Sequence, residues 1–341
     1  MAQASPAKVQ VKAITEVGLV VKDVRKTVEN YWNILGIGPW DIYPWESPLV
    51  YDYKYRGRPA WAREKMALAR VGEVQLALME PIDGDTIYQD WLTEHGEGLH
   101  HLSFMVDSAA DVDRTAEILA NEGFPSLQSA RFGDNGAFNY IDIKPLHSIW
   151  EATYLHGDIG AKPTHYPGGT QTSPAKVKVN SIFQVGLVVK DVQKAVENYW
   201  NILGIGPWDI YPWESPLVYD YKYHGKPAWA RAKIAITMVG PVMLELMEHI
   251  DGDTIYPDWL MEHGEGLHHL NFLVDSADDV DRTAEILANE GFPSLQSGRF
   301  GDNGAFNYID IKPLRTIWEP DHAPDNMGAK PVHYPLQRLP C

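Results

Sequence analysis

The 341-residue chain has one cysteine, and that one, Cys341, is its last residue. No intrachain disulfide can form, and thiolate metal centres are excluded. Positive charge is also scarce. Lys and Arg number 29 against 46 Asp and Glu, a formal net charge of −17 with histidine neutral. Nucleic acid needs a basic face for its phosphates, and an anionic membrane surface needs a polybasic one, so neither partner is expected. No apolar run approaches the length that spans a bilayer. The opening MAQASPAKVQVKA lacks the apolar stretch of a secretory signal, so the expected location is cytoplasmic. At 45% hydrophobic, the chain has enough apolar residues for ordinary cores.

What is present is one unit written twice. WLTEHGEGLHH at 91–101 returns as WLMEHGEGLHH at 259–269, which places His101 and His269 168 positions apart. Val28–Tyr55 recurs unchanged as Val196–Tyr223, and Arg131–Leu146 as Arg299–Leu314. That period is far too long for a solenoid, so each copy is a whole domain. The expected boundaries are 10–167 for the first domain, 168–178 for a Gly-, Thr- and Ser-containing linker, 179–335 for the second domain and 336–341 for a tail. The proline-rich segment from Pro320 is expected to wrap the surface.

Each copy opens with a compact β-branched strand, Val17–Val21 and its twin Val185–Val189. A helix follows, with Asp23 at its N-cap, Gly36 just past its end, and Val24, Val28, Tyr31, Trp32 and Leu35 on one face. Trp40–Trp61 reads as aromatic and turn-rich. Strand-like runs come near Glu64–Arg70 and Val74–Met79, then a short helical segment around Gln89–His95. The pattern then restarts: strand Leu99–Val106, helix Ala109–Glu122, strands Phe138–Ile143 and Ile149–Tyr154. Each copy thus holds two strand–helix–strands units, and the chain four.

Side chains alternate across a strand. In the first strand Val17, Leu19 and Val21 form the packing face, with Glu16 and Gly18 opposite. In Leu99–Val106 the alternation puts Leu102 and Phe104 on the helices, His101 and Ser103 opposite, and His100 with the helix-facing set. In Val242–Met247, Glu245 faces away from the helices, as Glu151 does in the last strand. Every histidine or carboxylate suited to a metal therefore falls on the open face of a sheet, where carboxylate oxygens and neutral imidazole fit a divalent ion.

EHGEGLHHL followed by SFMVDS, the GLVVKDV opening and the terminal IWE resemble the vicinal oxygen chelate superfamily, which spans glyoxalase I, methylmalonyl-CoA epimerase, extradiol dioxygenases and bleomycin-resistance proteins. The GEGLHH phrase is most similar to the epimerase branch. The resemblance implies an α+β fold in which two βαβββ modules pair into a cupped mixed sheet, once per copy. It also implies four metal ligands, from the first and last strands of each module. These positions are Gln184, Glu245, His269 and Glu319 in the second copy. In the first they are Glu16, Ala77, His101 and Glu151, and Ala77 cannot bind metal. One histidine and two carboxylates remain in each set, and Gln75 points the way Ala77 does.

One nitrogen with two or three oxygens is harder than a structural zinc site, so cobalt, manganese, iron(II) or nickel suits it at least as well as zinc. The chemistry implied is proton transfer at a carbon next to a carbonyl of a small, aromatic or thioester substrate, by an epimerase or isomerase. Glu319, Glu245 and Glu151 are its catalytic candidates, and Glu16 a further carboxylate of the first copy. The alternatives are a glyoxalase-like lyase and a metal-free binding or resistance protein. An extradiol dioxygenase is disfavoured, because that branch uses two histidines. The aromatic stretch from Trp40 to Trp61 suits either core or pocket wall. Arg63 and Arg231 are candidate anion clamps, with surface exposure the plainer reading. The fused copies can form a pseudo-dimeric monomer or a homodimer.

Overall fold

The computed structural model describes residues 4–323 and 326–335; the tail 336–341, with Cys341, lies outside the described residues. The chain divides into two compact units. One is Val11–Val179 with Pro313–Arg315; the other is Asn180–Lys312 with the described residues before Val11 and those from Thr316 on.

In the first unit β1 is Glu16–Val20, α1 Val24–Leu35, β2 Trp40–Trp45, β3 Val50–Tyr55, β4 Arg58–Pro59, β5 Ala62–Val71 and β6 Val74–Gly84. Then come α2 Ile87–Glu94, β7 Gly98–Met105, α3 Ala109–Asn121, β8 Ser126–Phe132, β9 Gly136–Ile143, β10 Ser148–Tyr154 and β11 Thr164–Tyr166. The second unit repeats the series. It has β12 Gln184–Val188, α4 Val192–Leu203, β13 Trp208–Trp213, β14 Val218–Tyr223, β15 Lys226–Pro227, β16 Ala230–Val239 and β17 Val242–Gly252. It continues with α5 Tyr256–Glu262, β18 Gly266–Leu273, α6 Ala277–Asn289, β19 Ser294–Phe300, β20 Gly304–Ile311, β21 Thr316–His322 and β22 Val332–Tyr334.

Each unit is one curled, mixed sheet of 11 strands with few helices, an α+β architecture. In the first, the order runs β11-β2-β5-β6-β1-β7-β10-β9-β8-β3-β4. Two βαβββ modules, β1-α1-β2-β5-β6 and β7-α3-β8-β9-β10, thus meet at β1 and β7. Their first and last strands lie side by side as β6-β1-β7-β10. β1 runs parallel to β6 and antiparallel to β7, and β7 runs parallel to β10. The hairpin β3-β4 crosses to extend the far edge on β8.

The helices form for the reasons their sequences give. Asp23 accepts a hydrogen bond from the Lys26 amide at the start of α1, and Gly36 closes the helix at φ 67°, where a Cβ would be strained. Ser108 caps α3 in the same way. Val24, Val28, Tyr31, Trp32 and Leu35 of α1 are buried against the sheet's outer face.

The structure corrects three expectations. The aromatic stretch is strand rather than turn: β2 and β3 lie within it. Pro44 is tolerated inside β2 because β11 pairs only with Trp40–Ile42, so beyond that point β2 has β5 alone as a neighbour. Pro320 lies within β21 rather than in a wrapping tail, and the β20–β21 ladder skips that rung, where an N–H is missing. After it, Val332–Tyr334 adds an edge strand to β13. The third correction concerns His100. A bulge in β7 opposite Gly18 and Leu19 overrides strict alternation and turns its ring toward that of His101. Among the described residues, no helix is long and apolar enough to cross a membrane.

Candidate metal centres

The four central strands of each sheet place the candidate ligands on neighbouring backbones. Gly18 of β1 pairs with Ala77 on one side and His101 on the other, and Ser103 pairs with both Glu16 and Glu151. One ligand atom from each of Glu16, His101 and Glu151 lies within 4.8 Å of the others; Glu245, His269 and Glu319 form the equivalent group in the second unit.

Glycine makes room for the histidine. A Cβ on Gly18 would lie 1.9 Å from His101 Cε1, and one on Gly186 would lie 1.9 Å from His269 Cε1. His101 is fully buried, and its Nε2 has no hydrogen-bond partner among the described residues, although Glu16 and Glu151 oxygens stand 3.5 and 3.8 Å away. Its Nδ1 is 2.9 Å from His100 Nδ1. One of those nitrogens must carry the proton. Burial, reinforced by His101 and His95, drives the His100 pKa well below the ordinary value, so that ring is neutral. With the shared proton on His101 Nδ1, its Nε2 presents a bare lone pair to the two carboxylates, as a metal-binding imidazole does.

Carboxylates gathered this way resist ionising together. Burial first, then Glu16, pushes the Glu151 carboxyl up to about 7, against His101, Ser103 and Tyr140, which favour its charged form. The Ser103 hydroxyl donates to Glu151. Gln75, on the same face as Ala77, donates its amide to Glu16 at 2.6 Å. A divalent cation would offset this crowding of charge, and the orphaned imidazole nitrogen fits one.

The second unit has a fuller set. His269 Nε2 stands 3.1 Å from Glu319 and 3.5 Å from Glu245. The Gln184 amide nitrogen is 2.8 Å from Glu245 and 3.2 Å from His269 Nε2, so turning the amide over would present its oxygen to an ion. Burial, then Glu319 and Asp321, holds the Glu245 carboxyl well above its usual range. Asp321 is a third buried carboxylate. Asn271 donates to both Glu319 (2.9 Å) and Asp321 (3.3 Å), where the first unit has Ser103 and Thr153.

The walls are aromatic. Tyr43, Trp45, Tyr53, Tyr88, Phe132, Phe138 and Tyr140 share one buried cluster. Tyr140 lies edge-on to His101 at 4.9 Å, and Tyr308 to His269 at 5.0 Å. Trp40 belongs elsewhere, against Tyr31 of α1, and Trp61 is exposed. Arg63 and Arg231 are exposed and lie beside Glu46 and Asp83, and Glu214 and Asp251. Those acids occupy the charge an anion clamp would need.

Residue patterns alone did not flag Glu64. It lies on β5, in register with Met66 and Leu68 of the aromatic cluster, and is 2% exposed. The Thr86 hydroxyl donates to its Oε1 at 2.5 Å, while Oε2 has no partner among the described residues. Burial raises its carboxyl to about 8, against the Thr86 bond. Tyr88 feels the charges of both Glu64 and Glu151. The signal that would have found Glu64 is its replacement by Ala232 between flanks, PAWAR before and Lys65 or Lys233 after, that are unchanged.

The glyoxalase/bleomycin resistance protein/dioxygenase superfamily matches residues 15–140 and 183–308. No curated protein matches the chain. Among solved structures, a mutant of 4-hydroxymandelate synthase from Streptomyces coelicolor is similar at a TM-score of 0.58 and 17% identity, over 92% of each chain. A xylose isomerase-like TIM barrel/4-hydroxyphenylpyruvate dioxygenase fusion protein is similar at 0.51 and 11% identity, over 93% of this chain and 50% of that one. At these identities the likeness shows the fold.

Proposed function

Because the chain belongs to the glyoxalase/bleomycin resistance protein/dioxygenase superfamily, we propose that it is a metal-dependent epimerase or isomerase, of the epimerase-like branch, moving a proton at a carbon next to a carbonyl. One observation carries this reading. The first cup holds two kinds of carboxyl: Glu16 and Glu151 beside His101, and Glu64, bonded to Thr86 on the aromatic wall. Inverting a carbon takes a group that removes a proton and a group that returns one, and both must sit near neutrality to exchange roles. Glu64, at about 8, meets that condition, and in the metal-free cup burial and Glu16 hold Glu151 above the ordinary carboxylate range.

Glu16, His101 and Glu151 would hold a divalent ion in the first cup, and Gln184, Glu245, His269 and Glu319 in the second. When bound, the ion supplies a Lewis acid that makes a carbon next to a coordinated carbonyl more acidic. Glu151, when it is not ligating that ion, takes the proton from that carbon as the C–H electron pair moves toward the carbonyl. Glu64 delivers a proton to the same carbon as the new C–H bond forms. In the second cup Glu319 or Glu245 takes the role of Glu151. The aromatic wall excludes water and fits a flat or apolar substrate body.

A sequestering protein would have no use for a bare imidazole nitrogen between two carboxylates. A dioxygenase that binds iron with two histidines would need His100 to face the carboxylates, whereas its Nδ1 faces His101. A lyase acting on a thiol adduct shares the ligands but gives Glu64 no evident task.

The test is exchange in deuterated water. The protein is loaded with Co(II) or Mn(II) and mixed with α-chiral thioesters and aromatic ketones. Loss of the α-proton signal, with racemisation of a single enantiomer, is the expected result. No exchange with any compound, together with oxygen uptake on catechols, would sink the reading.

A further inference from the structure

The hairpins bordering the two aromatic walls differ at several rungs, and one of these differences concerns proton-carrying side chains. Glu64 of β5 pairs across to Pro81 of β6. The corresponding rung of the second unit pairs Ala232 of β16 with His249 of β17. By the repeat, Glu64 answers to Ala232 and Pro81 to His249. Each cup therefore keeps one proton-carrying side chain at this rung, but on opposite strands.

Both side chains reach the same partner. Thr86 Oγ1 lies 2.5 Å from Glu64, and its counterpart Thr254 Oγ1 lies 3.0 Å from His249 Nδ1. Both threonines are buried and accept from the amide of the tyrosine two residues on, Tyr88 or Tyr256. Those tyrosines, like Tyr140 and Tyr308, feel the triad carboxylates: Glu151 in the first cup, Glu245 and Glu319 in the second. Packing alone does not call for a titratable group at this rung, since alanine and proline fill space without one.

We propose that His249 is the acid–base group of the second cup, standing where Glu64 stands in the first, and that the second cup is a catalytic site in its own right. The proposal rests on the proton-transfer reading above. A carboxylic acid and an imidazole meet a substrate differently. Glu64 is buried and carries its proton near neutrality, so the first cup offers a donor to an oxygen or carbanion. His249 is partly exposed, and its burial, opposed by Asp251, lowers its pKa, so the second cup offers a neutral ring able to accept a proton. His249 and the Glu319/Glu245 pair then exchange roles: the neutral ring takes the proton from the carbon while a protonated Glu245 returns one, and as imidazolium it returns one when Glu319 or Glu245 has taken it.

The experiment uses full-length protein, loaded with Co(II), whose first cup is disabled by His101→Ala. In that background His249→Gln should lower deuterium exchange about 100-fold, the scale of a lost general acid or base, with metal content unchanged. Transplanting the first cup's arrangement with Ala232→Glu and His249→Pro should restore exchange, whereas Ala232→Gln with His249→Pro should not. Equal rescue by glutamate and glutamine, or no loss with His249→Gln, overturns the proposal. A second measurement keeps it decidable if no panel compound exchanges even with native protein, an outcome that sinks the proton-transfer reading itself. Acetohydroxamate, a bidentate ligand with two neighbouring oxygens, is added to the same Co(II)-loaded protein. The His249 imidazole should then be protected from carbethoxylation; unchanged modification overturns the proposal.

Discussion

At the scale of single residues, the metal centre depends on what is missing as much as on what is present. Gly18 and Gly186 leave the space that the imidazoles of His101 and His269 fill. At 1.9 Å from the ring, an added Cβ would force the histidine out of its place rather than compress it. Gly18→Ala should therefore weaken metal binding in the first cup at least tenfold, a disruption comparable to losing an orienting partner, while the second cup binds as before. Metal titration with atomic emission readout checks this, and an unchanged first-cup affinity would mean that the histidine holds no ion. Strand alternation made the facing of His101, Glu151 and Glu245 legible in the sequence. The glycine's role was not, because it is a through-space contact between neighbouring strands. His100 was misplaced for a related reason: a bulge depends on the partner strand, which local periodicity does not contain.

At the scale of elements, the β5–β6 hairpin and the start of α2 hold a carboxyl that opposes folding when ionised. In the unfolded chain Glu64 releases its proton near the ordinary 4.5; in the fold it does so at about 8. Below the lower value both states are protonated, and the group costs nothing. Between the two values the unfolded chain has released its proton and the fold has not, so stability falls as pH rises, by at most about 1.4 kcal/mol per pH unit. Above about 8 the loss is complete. Glu64→Gln keeps an acceptor for Thr86 and cannot ionise. Its melting temperature relative to the native protein should rise steadily from pH 5 to pH 8 and then level off. Thermal unfolding of metal-free samples across that range measures the difference, and parallel curves would mean that Glu64 titrates normally. The elements around it were unequally legible. α1 and α3 carry their own caps, and their limits follow from the sequence. β2 and β3 were hidden by Pro44 and by short turns, since their strand character comes from pairing with β5 and β8.

At the scale of the whole molecule, duplication supplied the domain count and the family resemblance the candidate ligands, but neither gave the Glu64/His249 exchange. The second carries Gln184, Glu245, Asn271 and Asp321 where the first has Glu16, Ala77, Ser103 and Thr153. A carboxylate moved from one strand to a neighbour keeps two beside each histidine, so both triads should hold a divalent ion, the second with more protein ligands. Because each triad lies within its own compact unit, the losses should be independent. Purified protein reconstituted with Co(II) or Mn(II) should contain about two ions per chain. His101→Ala should remove one, His269→Ala the other, and the double variant both, with circular dichroism unchanged. Chelation should lower the melting temperature of the native protein more than that of either single variant, since each ion stabilises only the state that binds it. A single ion lost only with His269→Ala would reduce the first cup to a scaffold, leaving Glu64 without a reaction to serve. Failure to bind any divalent ion under reconstitution would remove the Lewis acid from both cups, and with it the proton-transfer mechanism.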